Sequence, residues 1–290
     1  MKKTTWRARV QAWWQRGWAV LIPARKKQAL RAQLMATSIT DAQAPFDVEA
    51  RILRAITIAP PGMIDVGANV GVYATIMEDV VGAHNLYLFE PLPQLAWRLR
   101  WNFPRAHVFA MALSDQQGAV TMRVPTINGQ RYDSRATLNQ HVEPGQTAFR
   151  TVTVRCDTLD ALAQRGVLWP VGVIKIDVEG HELAVINGAT TVLTTQQPLL
   201  LVEIEARHHA FPIETIFARI AALGYRGYFV NPATATLAAV QEFDVARDQP
   251  LQAMTSRAFH RYLNNFFFVP IAKEAQFVAE VRAFLAHAGG

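Results

Sequence analysis

One short stretch limits the folds open to this chain: Met63-Ile64-Asp65-Val66 runs directly into Gly67-Ala68-Asn69-Val70-Gly71, and a helical pattern follows to Val81. An apolar strand, a glycine turn and a helix in that order make the opening unit of a nucleotide-binding α/β sheet. Gly67 permits a tight turn and close approach of a ligand to the backbone, and Gly71 permits close helix–strand packing. The helix start favours a carboxylate or phosphate. A purely structural strand-to-helix turn would use the same glycines.

The rest of the chain repeats the unit. Strands are expected at Asn85 to Phe89, His107 to Leu113, Val171 to Ile176 and Leu199 to Ile204, with helices at Pro93 to Phe103 and about Ile213 to Leu223. Continuous apolar runs of strand length suit strands buried on both faces, hence a parallel sheet covered by helices. Tyr225 to Val230 and Asn265 to Val269 read as two late strands. Residues 115–165 interrupt the alternation, with strands at Ala119 to Val124 and Phe149 to Arg155 and a polar, mobile loop from Thr126 to Gly145.

Charge is segregated. Residues 1–40 hold nine Lys or Arg and no Asp or Glu, which leaves 20 basic and 23 acidic residues after them, a net of −3. The body therefore lacks the excess basic charge of a nucleic-acid enzyme. The first forty residues also carry Trp6, Trp13, Trp14 and Trp18 at roughly helical spacing, up to Pro23. Such a segment is either a surface helix packed on the core or an interfacial helix on a membrane or partner. Residues 1–44 are accordingly set apart from a main domain at 45–290. No run of about 18 apolar residues exists to span a membrane, and the apolar stretch Trp18 to Ile22 is short for a signal peptide. The single Cys156 excludes an internal disulfide. The expectation is a cytoplasmic protein with peripheral contact available through residues 1–30.

Four further motifs carry chemistry. Glu90, in Leu88-Phe89-Glu90-Pro91, ends the second strand 25 residues after Asp65, where a carboxylate can accept from vicinal ribose hydroxyls. Ser114 and Asp115 end the third strand; they can meet an adenine amino group or simply cap a turn. Lys175-Ile176-Asp177-Val178-Glu179-Gly180-His181-Glu182 ends the fourth strand, with Lys175 and Asp177 on one face. Val202-Glu203-Ile204-Glu205 ends the fifth and sets Glu203 beside Asp177, a pair able to take a divalent cation or share a proton. Two carboxylates are not a coordination sphere, so no metal ligands are assigned. His208 and His209 read as surface residues.

These motifs in this order resemble the FkbM family of methyltransferases, over about residues 50–270, and Asn264-Asn265-Phe266-Phe267-Phe268-Val269-Pro270 resembles that family's closing strand. The resemblance implies a Rossmann-like seven-stranded class I methyltransferase sheet with the last strand antiparallel and helices on both faces. It implies transfer of a methyl group from S-adenosyl-L-methionine to a hydroxyl of a saccharide, glycan or polyketide-type acceptor. By position, Gly67, Asn69 and Gly71 would hold the methionine part, Glu90 the ribose, and Ser114 or Asp115 the adenine. Asp65, Ala68, Tyr73, Pro91 and Asp177 complete the implied cofactor set. A hydroxyl acceptor calls for a general base, and Asp177, Glu179, His181 and Glu203 are the candidates. Competing readings are an NAD(P)-dependent dehydrogenase, disfavoured by Asn69 where a middle glycine would admit a pyrophosphate, and a non-catalytic cofactor-binding scaffold that recruits a partner.

Overall fold

A computed structural model describes residues 24–36, 48–139, 142–143, 145–231, 234–251 and 262–288. The Trp-rich stretch before Pro23 lies outside the described residues.

The main sheet grows from strands whose side chains are buried on both faces. β1 (Met63–Val66), β2 (Leu86–Phe89) and β8 (Val173–Ile176) have every residue buried, as does β9 (Leu199–Glu203) up to its last residue. Together with β3 (His107–Phe109), they pair in parallel in the order β3-β2-β1-β8-β9. The sheet then continues through β12 (Asn265–Pro270), antiparallel to β9, to β10 (Tyr225–Asn231) and an edge strand β11 (Thr236–Ala239). It has eight strands, not the seven expected. β11 carries no run of large apolar side chains and forms by hairpin pairing with β10, a long-range reward invisible to local periodicity.

Period-2 alternation divides the core. Ile64, Val66, Phe89, Ile176 and Val202 face α5 (Leu159–Gln164), α6 (Glu182–Asn187), α7 (Thr190–Gln196) and α8 (Glu214–Ala221). Met63, Leu88, Val173 and Phe267 face α2 (Val48–Ala55), α3 (Val72–Val81), α4 (Pro93–Asn102) and α10 (Glu274–Ala288). α1 (Ala24–Ala36) docks outside α3, with Lys27 and Arg31 on Glu78. A short α9 (Val245–Asp248) precedes β12. No helix among the described residues is long and apolar enough to cross a membrane.

The segment expected as one strand from His107 to Leu113 splits. β3 stays in the main sheet, while β4 (Ala112–Leu113) joins a second sheet, ordered β4-β7-β5-β6. That sheet is the insertion: β5 (Gly118–Ile127), β6 (Gln130–Arg131) and β7 (Gln146–Asp157). It is joined to the body through Val124, packed with Leu92 and Leu95. The described part of the Thr126 to Gly145 stretch is anchored rather than loose. It contains β6, a 3-10 turn at Asp133–Arg135 and a bridge from Thr137 to Arg123.

Candidate active site at the switch point of the sheet

Successive strands run outward from β1 to β2 and β3, and the chain then returns to add β8 and β9 on the other side. Ligands of open α/β sheets bind at the carboxyl ends of strands at such a reversal. The cavity found there is lined by three turns of the main sheet and, from the insertion, by Asp133, Ser134, Ala136 and Leu138. Gly67 and Asn69 come from the turn after β1, and Glu90 and Pro91 from the end of β2. Asp177, Glu179 and His181 come from the turn after β8. Its apolar wall includes Phe89, Met111, Leu113 and Met122. The empty volume is about 590 Å³ including the part open to solvent.

The glycine turn is fixed by close packing. The N–H groups of Gly67 and Ala68 both donate to the Phe89 carbonyl, at 2.9 and 3.0 Å. Gly67 has φ +82°, and a Cβ there would lie 1.8 Å from the Asp177 carbonyl oxygen. Gly71, also at φ +82°, lies against the Phe103 ring and so serves the seating of α3 rather than the cavity. Asn69 holds φ +49°. Its N–H donates to Glu90 Oε2 at 2.9 Å, and Leu92 N–H donates to Glu90 Oε1 at 2.8 Å. Glu90 thus braces the turn while lining the cavity. Each of its oxygens keeps a further lone pair for a ligand hydroxyl. Burial pushes its pKa up to about 7, against the pull of those two N–H groups.

Beneath the turn, Asp65 and Lys175 stand in register on adjacent strands, both almost fully buried. Lys175 Nζ lies 3.8 Å from Glu203 Oε2 and over the Tyr73 ring. Burial raises Asp65 to about 7, although Lys175 opposes the rise. Asp65, Ala68, Gly71 and Tyr73 support the cavity from below and do not line it.

The turn after β8 is strained and strapped. Glu179 has φ +52°, a left-handed conformation costly for a residue with a Cβ. Thr137 Oγ1 donates to the Glu179 carbonyl at 2.7 Å, and Asn139 Nδ2 donates to the Gly180 carbonyl. Both come from the insertion, which thereby closes over the motif. Asp177 and Glu179 line the cavity, and Glu203, outside its lining, follows the Ile176–Val202 register pair on β9. Burial first, and the neighbouring carboxylates next, raise Glu179 and Glu203 well above the usual range; Asp177 is also raised by burial. Glu205 is lowered instead: Arg207 and His208 outweigh its burial.

Several members of this cluster were not read from the sequence. Glu143, from the insertion, pairs with Arg135 at 2.7 Å and Arg207 at 2.8 Å. Arg207 also pairs with Glu205, which accepts from Tyr262. His208 and His209 are buried, contrary to the surface expectation. His208 Nε2 lies 3.4 Å from Glu179 and 3.5 Å from Glu143, and His209 Nε2 lies 3.1 Å from Glu182. The 3-10 turn carrying them has no period by which to tell inside from outside. A signal was present nonetheless, since Glu203 to His209 places five ionisable residues directly after a buried strand. Glu143, Glu179 and His208 bring three ligand atoms within 4.8 Å of one another, the one such group among the described residues. A cation entering there would face the two guanidiniums already on Glu143.

Ser114 and Asp115 do not line the cavity. Ser114 is buried behind it, its Oγ 2.8 Å from His181 Nε2 and 3.1 Å from Asp115 Oδ1. Burial holds the His181 imidazole below its ordinary pKa, favouring the neutral ring.

The chain is 30% identical over 146 residues to the hexuronic acid methyltransferase AglP of Haloferax volcanii, a match covering 49% of this chain and 55% of that protein. The chain therefore spans about half the length of that curated relative. A crystal structure of Methyltransferase FkbM from Methylobacillus flagellatus aligns with 83% of this chain and 57% of that one, at 15% identity and a TM-score of 0.42. The family model described as the Methyltransferase FkbM domain matches residues 65–229, from the β1 carboxylate to the penultimate residues of β10. That is more than half of the sequence, and the chain belongs to the FkbM methyltransferase family.

Proposed function

We propose that this protein methylates a hydroxyl of a sugar, of the uronic acid class, with S-adenosyl-L-methionine as donor. The observation that carries the reading is the convergence of the glycine turn, Glu90 and the 177–181 turn on one cavity at the switch point. The sugar class rests on the relative named for hexuronic acid.

The residues present fit that donor. A ribose diol needs a carboxylate with spare lone pairs, and Glu90 has them. A flat base needs an apolar slot, which Phe89, Met111 and Leu113 border. A cationic group needs negative charge: burial raises Asp177 and Glu179, and a sulfonium beside them would draw both back toward the ionised form. When bound, the donor supplies a methyl group already activated on a sulfonium, so the protein's work is alignment and proton removal.

His181 is the base we assign. The Asp115 carboxylate can only accept, so the Ser114 hydroxyl donates to it and in turn accepts from His181 Nε2–H. The neutral ring then carries its lone pair on Nδ1, able to take the acceptor's proton as the oxygen–methyl bond forms and the carbon–sulfur bond breaks. Asp177, Glu179 and Glu203, raised by burial and by neighbouring carboxylates, would ionise as a sulfonium binds, so we assign them to complement its charge and leave proton removal to His181.

Incubation of the purified protein with methyl-labelled donor and a panel of uronic-acid-containing oligosaccharides tests this. Label should enter a sugar ether, and His181→Ala should lower transfer on the order of a hundredfold with S-adenosylhomocysteine affinity unchanged. Label in a carboxylate ester, or full activity in His181→Ala, would refute the assignment.

A further inference from the structure

The fold joins two segments that are far apart in sequence and share an unusual composition. Residues 1–40 contain no acidic residue, and neither do residues 91–114, which include α4. Lys27 of α1 welds them together: its Nζ donates to the Asn102 carbonyl at 2.8 Å and sits 3.9 Å over the Phe103 ring. That contact leaves Arg25 and Lys26 exposed on one side of it, and Arg100 and Arg105 exposed on the other.

Two large aromatic side chains emerge from the same region. Trp97 and Trp101, one turn apart on α4, are 49% and 56% exposed and lie against each other at 5.7 Å. A surface helix of a protein with no docking role ordinarily presents polar residues at such positions. On α4 the pair flanks the exposed Arg100 in sequence, and the exposed Arg105 follows the helix. The chain leading into α1 adds Trp6, Trp13, Trp14, Trp18 and five further basic residues by composition.

We propose that the α1–α4 face docks on an anionic lipid bilayer. Charge complementarity selects that surface: basic side chains are drawn to anionic headgroups, and Trp partitions to the depth where headgroups meet acyl chains. The net −3 of residues 41–290 gives the body as a whole no general attraction to the same surface. Docking there holds the methyltransferase at a bilayer. A nucleic acid would share the arginines, but a phosphate backbone gives no reason for an exposed tryptophan pair one turn apart on a helix.

Flotation of the full-length protein with vesicles of phosphatidylcholine, alone or mixed equally with phosphatidylglycerol, tests the proposal. Binding is expected on the mixed vesicles only, with release at high salt. The double variant Trp97→Ala/Trp101→Ala should lower partitioning roughly tenfold or more. Arg105→Gln should lower it roughly fivefold. Both substitutions fall on exposed side chains and should leave the circular dichroism spectrum unchanged; if the tryptophan variant misfolds, Arg105→Gln decides alone. Equal binding to neutral vesicles would overturn the proposal, as would partitioning that α4 variants leave untouched or capture of a mixed-sequence RNA in place of vesicles.

Discussion

Two atoms at the base of the cavity show how narrow the tolerances are. The Gly67 Cα faces the Asp177 carbonyl, so a methyl group there would collide with main chain that cannot swing aside. Gly67→Ala should cost about 3 kcal/mol, combining left-handed strain with main-chain displacement. A urea melt would read that loss, and ligand binding should vanish with it. Glu90 makes a different prediction. Its pKa of about 7 lies above the ordinary carboxylate value, so the folded apo protein holds that proton more tightly than the unfolded chain does. This contribution to stability is present below about pH 4.5 and is lost as pH rises through 7. A ribose diol prefers the ionised form, so S-adenosylhomocysteine should bind more tightly as pH rises from 6 to 8, on the order of the proton's own release. In Glu90→Gln only the share due to Asp65, which titrates over the same range, should remain. Equal slopes in the two proteins would show that Glu90 does not contact the ligand.

Among the elements, the insertion matters beyond its size. Its Thr137 and Asn139 hold the Glu179–Gly180 backbone, and its Glu143 completes the charge cluster with Arg207. Strain at Glu179 is therefore maintained by a second sheet. Glu179→Gly should relieve roughly 1 kcal/mol of left-handed strain and raise or preserve the melting temperature. The same change should lower methyl transfer roughly tenfold or more, separating the site's function from the fold's stability. A variant that is both less stable and fully active would contradict this. The contrast between elements also explains what could be read from sequence. β1, β2, β8 and β9 were legible because burial on both faces leaves continuous apolar runs, and the glycine turn because close packing admits no side chain. β11 and the division of β3 from β4 were not, since pairing partners rather than local pattern decide them. Likewise Glu143 and Arg207 meet across 64 residues of chain, a contact no spacing rule supplies. Ser114 is expected against the adenine, but it lies outside the cavity lining, on His181, a partner 67 residues away in sequence.

At the level of the whole molecule, charge and topology share one logic. The parallel strands deliver a carboxylate-rich cavity at one end of the sheet, and residues 1–40 and 91–114, which hold α1 and α4, contain no acidic residue. Both features follow from where the chain spends its ionisable residues, not from its small overall excess of six positive charges. The central claim is that the cavity takes S-adenosylmethionine rather than a dinucleotide. Its most direct test is calorimetric titration of the protein with S-adenosylhomocysteine, in parallel with NADH, for the wild type and Glu90→Ala. The account predicts saturable S-adenosylhomocysteine binding by the wild type, weakened on the order of a hundredfold in the variant through loss of two charge-assisted hydrogen bonds, and no heat from NADH. Binding of NADH, or of neither ligand, would contradict it.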